Sequence, residues 1–180
     1  MKSNYIFIFA FLITLFACKS TKISQSEIEA FETLVENKNY RIESDMAHPQ
    51  VSNAMQQVLN SGILQGGSSA NAISLIGNSN FLTVSGDSIT SYLPYFGERQ
   101  MNIDYSGEDS GIQLKGLLEN YKAIKGKNNS YNISFGAKSR SESFKVFITL
   151  YPNLKSNLQI NGSGRFPISY SGQVEALKIE

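Results

Sequence analysis

Residues 131–138 read YNISFGAK, and this stretch decides the fold. Its odd-numbered residues are apolar or aromatic, whereas its even-numbered residues are Asn, Ser, Gly and Lys. Alternation with a period of two is typical of a strand that buries one face. Residues 144–150 (FKVFITL) repeat the pattern, with the even-numbered residues predicted to face the core. We therefore predict two half-buried strands here.

Further short strands are predicted around these two stretches. Gly77-Asn78, Gly86-Asp87 and residues 125–129 (KGKNN) provide turns between them. Consecutive strands without intervening helices indicate an antiparallel sheet rather than β-α-β units. About eight strands in one domain would curl into a barrel or fold into two layers. The other predicted strands cover residues 40–46, 72–76, 81–84, 89–93, 112–121, 158–160 and 168–170.

One amphipathic helix is predicted before the first strand. Ser24 and Glu27 form a capping-box pattern, and apolar residues then recur at helical spacing. The helix should run from Gln25 to about Lys38 and cover an open side of the sheet. The predicted fold class is α+β, mainly antiparallel β in a curled sheet, barrel-like or two-layer, with one N-terminal amphipathic helix. A shorter helix is predicted within residues 51–59, and residues 101–110 read as a polar loop.

The first eighteen residues predict export and a lipid anchor. An uncharged apolar run from Tyr5 to Ala17 follows Met1 and Lys2, and it has the length of a signal-peptide core. A transmembrane helix needs about 20 apolar residues. The run ends in Leu15-Phe16-Ala17-Cys18, which resembles a bacterial lipobox. We predict a signal peptide over residues 1–17 and lipidation of Cys18, the alternatives being a signal cut elsewhere or an uncleaved anchor helix.

The rest of the chain has the composition of one tethered domain. Residues 18–24 are predicted to form a lipidated tether, and residues 25–180 a single β-rich domain. Cys18 is the only cysteine, so no intramolecular disulfide can form. The formal charge of +1 argues against a nucleic-acid partner, which requires a basic surface. The predicted lipid anchor implies the membrane as a partner. The sequence does not identify a protein or small-molecule partner.

The residues after Cys18 indicate where in the bacterial envelope the protein is attached. Residues 19–24 (KSTKIS) contain no acidic residue, whereas related lipoproteins exported to the cell surface often carry acidic residues there. We therefore expect attachment to the inner leaflet of the outer membrane, facing the periplasm.

Candidate catalytic groups are few, and we predict that the protein is not an enzyme. His48 is the only histidine, and the sequence contains no nucleophile-elbow motif (Gly-x-Ser-x-Gly) that could act with it. A hydrolase that uses His48 with Asp45 or Glu43 is the catalytic alternative. One histidine and one lipidated cysteine cannot build a usual zinc site, so no metal or cofactor is predicted. Residues 104–111 (DYSGEDSG) could hold calcium irregularly, although the EF-hand spacing fails.

Two aromatic clusters are the remaining candidates for a binding site. Residues 92–97 (YLPYFG) and residues 165–170 (RFPISY) are dense in rings. They could line a pocket for an apolar or sugar ligand, or they could be amphipathic residues at the rim of the core. The predicted ligand-binding residues are Tyr92, Tyr95, Phe96, Arg165 and Tyr170.

The same segments carry a resemblance to a known family. Residues 80–87 (NFLTVSGD), 93–99 (LPYFGER), 131–135 and 165–172 (RFPISYSG) resemble, in this order, a family of small bacterial lipoproteins. Gly111-Ile112 and Asn120-Tyr121 fit the same pattern. The family is catalogued as domain of unknown function 4251. The resemblance implies a β-rich α+β fold on an exported lipoprotein of a Gram-negative bacterium, and it brings no catalytic residues.

The sequence therefore favours a lipid-anchored periplasmic or outer-membrane lipoprotein that acts as a non-catalytic binding or envelope-interaction module. The alternative is a carrier that holds an apolar or lipidic ligand in a pocket of the curved sheet. A packed core would exclude that ligand, whereas a cavity of about 300 Å³ or more would accept one.

Overall fold

The described part of the chain contains ten strands and two α-helices. The computed structural model describes residues 23–61, 68–100, 111–139 and 142–177. The predicted signal peptide, Cys18 and the predicted loop at 101–110 lie outside these ranges. The described elements are α1 (Gln25–Glu36), β1 (Asn39–Pro49), α2 (Asn53–Leu59), β2 (Ile73–Ser74), β3 (Phe81–Ser85), β4 (Ser88–Leu93), β5 (Ile112–Leu117), β6 (Glu119–Lys125), β7 (Tyr131–Lys138), β8 (Ser143–Leu150), β9 (Lys155–Gly162) and β10 (Ile168–Ala176).

The strands form one antiparallel sheet that curls almost into a barrel. Its order is β5-β4-β3-β1-β10-β9-β8-β7-β6, and β2 pairs separately with β1. The first and last strands of this order are adjacent in sequence, and β5 also contacts β7. The predicted mainly antiparallel β architecture is confirmed. The nearly closed sheet corresponds to the barrel-like form of the prediction and not to two layers.

One predicted strand is wrong, because residues 112–121 form two strands. β5 pairs with β4, whereas β6 pairs with β7 at the opposite end of the sheet. Leu118 stands at the break, and its N–H donates to the Asp87 carbonyl at 2.8 Å. Asn120 has φ +54°, a left-handed conformation that Asn tolerates better than most residues. The apolar pattern runs through the break, so it gives no sign that the strand changes partners.

The interior of the curled sheet is filled by side chains. Inward residues alternate with outward residues along β7 and β8, as predicted, and Phe135 and Ile148 are buried. α1 begins at Gln25, after Ser24 as N-cap with the capping box to Glu27 formed, and it buries Phe31 and Val35 in the same core. Phe31 meets the Tyr131 ring edge-on, with 5.8 Å between ring centroids. Within the described ranges neither helix is long and apolar enough to span a bilayer.

β1 contains a bulge that reverses which residues face the core. Ser44 pairs with Gly172 and Met46 with Ser171, so Asp45 is an additional residue. Tyr40, Ile42 and Ser44 are buried before the bulge, whereas Ala47 and Pro49 are buried after it. A strand over residues 40–46 with one uninterrupted alternation would place Met46 on the same face as Ser44, and the bulge shows that this interpretation is wrong beyond Ser44.

The side chain of Asn80 fills the gap that the bulge leaves in the sheet. Its Oδ1 accepts from the Ser44 N–H and its Nδ2 donates to the Ser44 carbonyl, both at 2.9 Å. On the other side of β1, a Cβ at Gly172 would lie 2.0 Å from the Glu43 carbonyl oxygen. The buried Asn80 amide thus satisfies the backbone groups that the bulge leaves unpaired on one side of β1. Gly172 allows β10 to lie close to the bulge on the other side.

Candidate functional site

Three of the five predicted ligand-binding residues come together, but they pack as part of the protein interior. Tyr95 and Tyr170 are buried, and the Arg165 side chain is 10 % exposed. The Tyr170 hydroxyl donates to the Pro94 carbonyl at 2.8 Å. Phe96 packs against the core, and Tyr92 is half-buried on β4.

The Tyr95 hydroxyl connects two loops. It lies 2.8 Å from the Glu98 carbonyl oxygen and 3.0 Å from that of Phe166. A Cβ at Gly97 would lie 2.5 Å from this hydroxyl, so the glycine makes room for the ring. Burial raises the pKa of Tyr95 to about 12, although the nearby Arg165 guanidinium opposes the rise. Burial also raises the pKa of Tyr170. Both phenols are therefore neutral hydrogen-bond donors near neutral pH.

Arg165 forms a buried ion pair with Glu142, a residue that the sequence analysis did not single out. Nη2 and Nε of Arg165 lie 2.7 Å and 2.9 Å from Oε2 of Glu142. Oε1 of Glu142 accepts from the Gly164 N–H at 2.9 Å. The guanidinium carbon lies 4.7 Å from the Tyr95 ring centroid and 5.3 Å from that of Phe144. This arrangement joins the turn after β7 to the loops before β5 and β10.

A glycine is the sequence signal for this ion pair. A Cβ at Gly162 would lie 2.2 Å from Oε1 of Glu142 and 2.8 Å from Cγ of Arg165. Any other residue there would displace the pair, so Gly162 marks the position where the two charged side chains meet. The chemistry of the cluster is structural, because the two phenol hydroxyls and the Glu142 carboxylate already have partners within the protein. Nη1 of Arg165 is the group in the cluster that has no hydrogen-bond partner among the described residues.

The catalytic candidates do not assemble into a triad. Nδ1 of His48 lies 3.2 Å from the Asn71 carbonyl oxygen, and Nε2 lies 3.3 Å from the Ser171 hydroxyl. Glu43 pairs with Arg41 on the exposed face of β1. Within the described ranges, no three His, Cys, Asp or Glu side chains gather as a metal site. The predicted calcium loop falls almost entirely in the residues that lie outside these ranges.

A wide groove lies beside α1. Its volume is about 1140 Å³, and it lies between α1, the start of β1, the end of β10 and the β8–β9 turn. Apolar and polar side chains both line it. The apolar part comprises Ile23, Ala30, Phe31, Leu34, Pro152, Leu154, Ala176 and Leu177. None of the five predicted ligand-binding residues contributes to it, so their binding role stays a prediction.

A second depression lies on the outer face of the sheet, and a third lies beside the bulge. The second has a volume of about 610 Å³ and is lined by Lys122, Lys145 and Phe147 among others. The third, of about 400 Å³, includes Glu43, Asp45 and Asn80. Sequence periodicity assigned Phe147 to the outer face but gave no sign of a depression around it.

Comparison with known proteins agrees with the fold. Residues 22–174 match the family described as domain of unknown function DUF4251. The chain belongs to the DUF4251 family. A crystal structure of a DUF4251 family protein from Bacteroides eggerthii DSM 20697 resembles this one with a TM-score of 0.55. The two sequences are 16 % identical, and the match covers 84 % of this chain and 88 % of that chain. Among curated proteins none matches this DUF4251 chain.

Proposed function

We propose that this protein is a lipid-anchored, non-catalytic binding module of the bacterial envelope, which binds an acyl chain of a membrane lipid in the groove beside α1. Its anchor is lipid on Cys18, and its location is the periplasmic side of the outer membrane. The observation that carries the proposal is the groove itself, because its apolar part includes Ile23, a residue of the predicted tether.

The tether length keeps the groove close to the bilayer. Ile23 follows Cys18 by five residues, and five extended residues span at most about 18 Å. A lipidated Cys18 would therefore hold the groove within one short tether of the headgroups. Leu34, Leu154 and Leu177 give the groove an apolar surface that suits a hydrocarbon chain.

The packing inside the curved sheet favours the groove, rather than a pocket inside the sheet, as the binding site. Inward-facing residues from β1, β3, β4, β5 and β7 to β10 belong to one buried cluster, so side chains already occupy the interior. The contacts of His48 favour a non-catalytic protein, because its two ring nitrogens meet a carbonyl oxygen and a hydroxyl rather than a carboxylate.

The anchor is tested by intact mass. The mature chain extracted from membranes should begin at Cys18 and carry diacylglycerol, and Cys18→Ala should accumulate as the longer precursor. A mature N-terminus at any other residue would contradict the lipoprotein assignment. Protease added to intact cells should leave the protein whole, whereas digestion without lysis would place it on the cell surface.

The groove is tested by photo-cross-linking in lipid nanodiscs. The lipidated chain is reconstituted with a phospholipid that carries a diazirine on one acyl chain. Cross-links should map to α1 and to the turn around Leu154. Ala30→Trp should reduce them several-fold, because Ala30 is exposed and lines the groove. Ala54→Trp is the matched control, since Ala54 is exposed on α2, away from the groove. Equal labelling of the two variants would refute the groove as the binding site.

A further inference from the structure

The outer face of β7 to β10 carries a band of uncharged hydrogen-bonding side chains. One row across these strands consists of the Ser134, Gln159 and Ser169 side chains with the Phe147 ring among them, and these four residues are partners in the sheet register. The neighbouring row, which passes through Thr149, also consists of amides and hydroxyls. Amide and hydroxyl groups both donate and accept hydrogen bonds, as do the hydroxyl groups of a sugar.

A depression interrupts this band beside an exposed aromatic ring. Gly136 lines the depression and has no side chain to fill it, while Phe147 lines the same space and is 43 % exposed. Asn161 lines it too, in the same register row as Lys145 and Gly136. The depression therefore combines an apolar ring with an amide at short range.

The side chains that line the depression carry more positive than negative charge. Lys122 and Lys145 both line it, and neither forms an ion pair with a residue in the described part of the chain. Glu119 also lines it, but Lys138 neutralises this carboxylate at 2.7 Å. Two lysines that have no acidic partner among the described residues complement a ligand that carries carboxylates.

We propose that this depression binds a carboxylated sugar of an acidic polysaccharide. The apolar face of the sugar ring stacks on Phe147, and the Asn161 amide bonds its hydroxyl groups. Nε2 of Gln159 donates to Oδ1 of Asn161 at 3.2 Å, which leaves Nδ2 of Asn161 to donate to the sugar. Lys122 and Lys145 bind its carboxylates. An acidic peptide is the alternative ligand for the two lysines, although the backbone groups of β7 and β8 are engaged in the sheet and offer it no ladder.

The test uses the full mature lipoprotein in nanodiscs and a hexamer of β-1,4-linked mannuronate as the probe. Lys145→Gln and Phe147→Ala should each weaken binding at least about tenfold, the effect of losing one charge-assisted contact or one stacking ring. Lys155→Gln removes the same charge from the other end of β9, and it should change the affinity less than about twofold. Cellohexaose shares the linkage without the carboxylates, and polyglutamate shares the charge without the sugar.

The outcomes separate the proposal from its alternatives. Selective binding of the uronate, lost in the two variants and retained in Lys155→Gln, supports it. Equal binding of polyglutamate would overturn it in favour of unspecific charge attraction or an acidic peptide. Equal binding of cellohexaose would overturn the role of the lysines, and no uronate binding at millimolar concentration would overturn the site. Self-association that Phe147→Ala abolishes, without uronate binding, would assign this face to a second copy of the chain.

Discussion

Replacing Arg165 by Met should be among the most destabilising single changes in this protein. Its side chain and that of Glu142 are each 10 % exposed, so the substitution leaves a carboxylate buried without its cation. After the substitution, the Gly164 N–H is the remaining hydrogen-bond donor to the Glu142 carboxylate among the contacts described above. The change also removes the guanidinium from between the Tyr95 and Phe144 rings.

The expected cost follows from the burial of the pair. Removal of one partner from a buried ion pair costs about 3–5 kcal/mol, because the other charge loses both water and its counter-ion. Glu142→Gln should cost a comparable amount, since it leaves Arg165 charged in the same surroundings, and Nη1 of Arg165 already lacks a hydrogen bond to the described residues. The double variant to Met at both positions should cost less than either single change, because it removes both charges and keeps the volume.

The measurement is the free energy of unfolding from urea titrations of the mature chain and its variants. Lys138→Met is the matched control, because it breaks the exposed ion pair with Glu119, whose partners are 64 % and 47 % exposed. That pair should contribute less than about 1 kcal/mol. The reasoning is refuted if Arg165→Met costs no more than Lys138→Met, or if the double variant costs the sum of the two single changes.

Three further changes test the core, the bulge and the buried phenol. Phe135→Ala should cost about 3–5 kcal/mol by urea titration, and Asn132→Ala, on the opposite face of β7, well under about 1 kcal/mol; equal costs would contradict the strand. Asn80→Ala should cost about 2–4 kcal/mol, because both backbone groups of Ser44 lose a buried partner, and a loss below 1 kcal/mol would deny the amide this role. Since the pKa of Tyr95 is about 12 in the fold and near 10 when unfolded, only the unfolded chain releases this proton between those values. The stability that Tyr95 contributes should therefore fall by up to about 2–3 kcal/mol as pH rises from 10 to 12, and the buried Tyr170 phenol adds a fall of its own. Tyr95→Phe should make that fall shallower, and an unchanged slope would refute the assignment.

The strands could be predicted wherever their cause was local. Alternation along residues 131–138 and 144–150 directly reports which face is buried, and β7 and β8 lie within one residue of the prediction. The split at Leu118 could not be predicted in this way. It depends on β5 and β6 joining opposite ends of the sheet, and an apolar pattern does not specify a strand's neighbour.

The candidate site was only partly predictable for the same reason. The aromatic density around Tyr95 and Arg165 was visible, but Glu142 lies in another segment and reaches Arg165 through the pairing of β8 with β9. The pairing brings Phe144 opposite Gly162, next to both charges. An isolated glycine at a strand end indicates a close approach, yet it does not say which side chains approach.

The segments that carry the family resemblance are explained by backbone geometry. Asn80 hydrogen-bonds to the backbone of Ser44 at the bulge of β1, and Gly172 allows β10 to lie close to the bulge on the other side. Gly97 makes room for the Tyr95 ring, which ties two loops together. Phe147 and Lys145 of the outer depression lie outside these segments, as do Ala30 and Leu154 of the groove. A signature of this kind specifies the scaffold, so proteins that share it can keep the fold while binding different ligands on surfaces that the signature does not include.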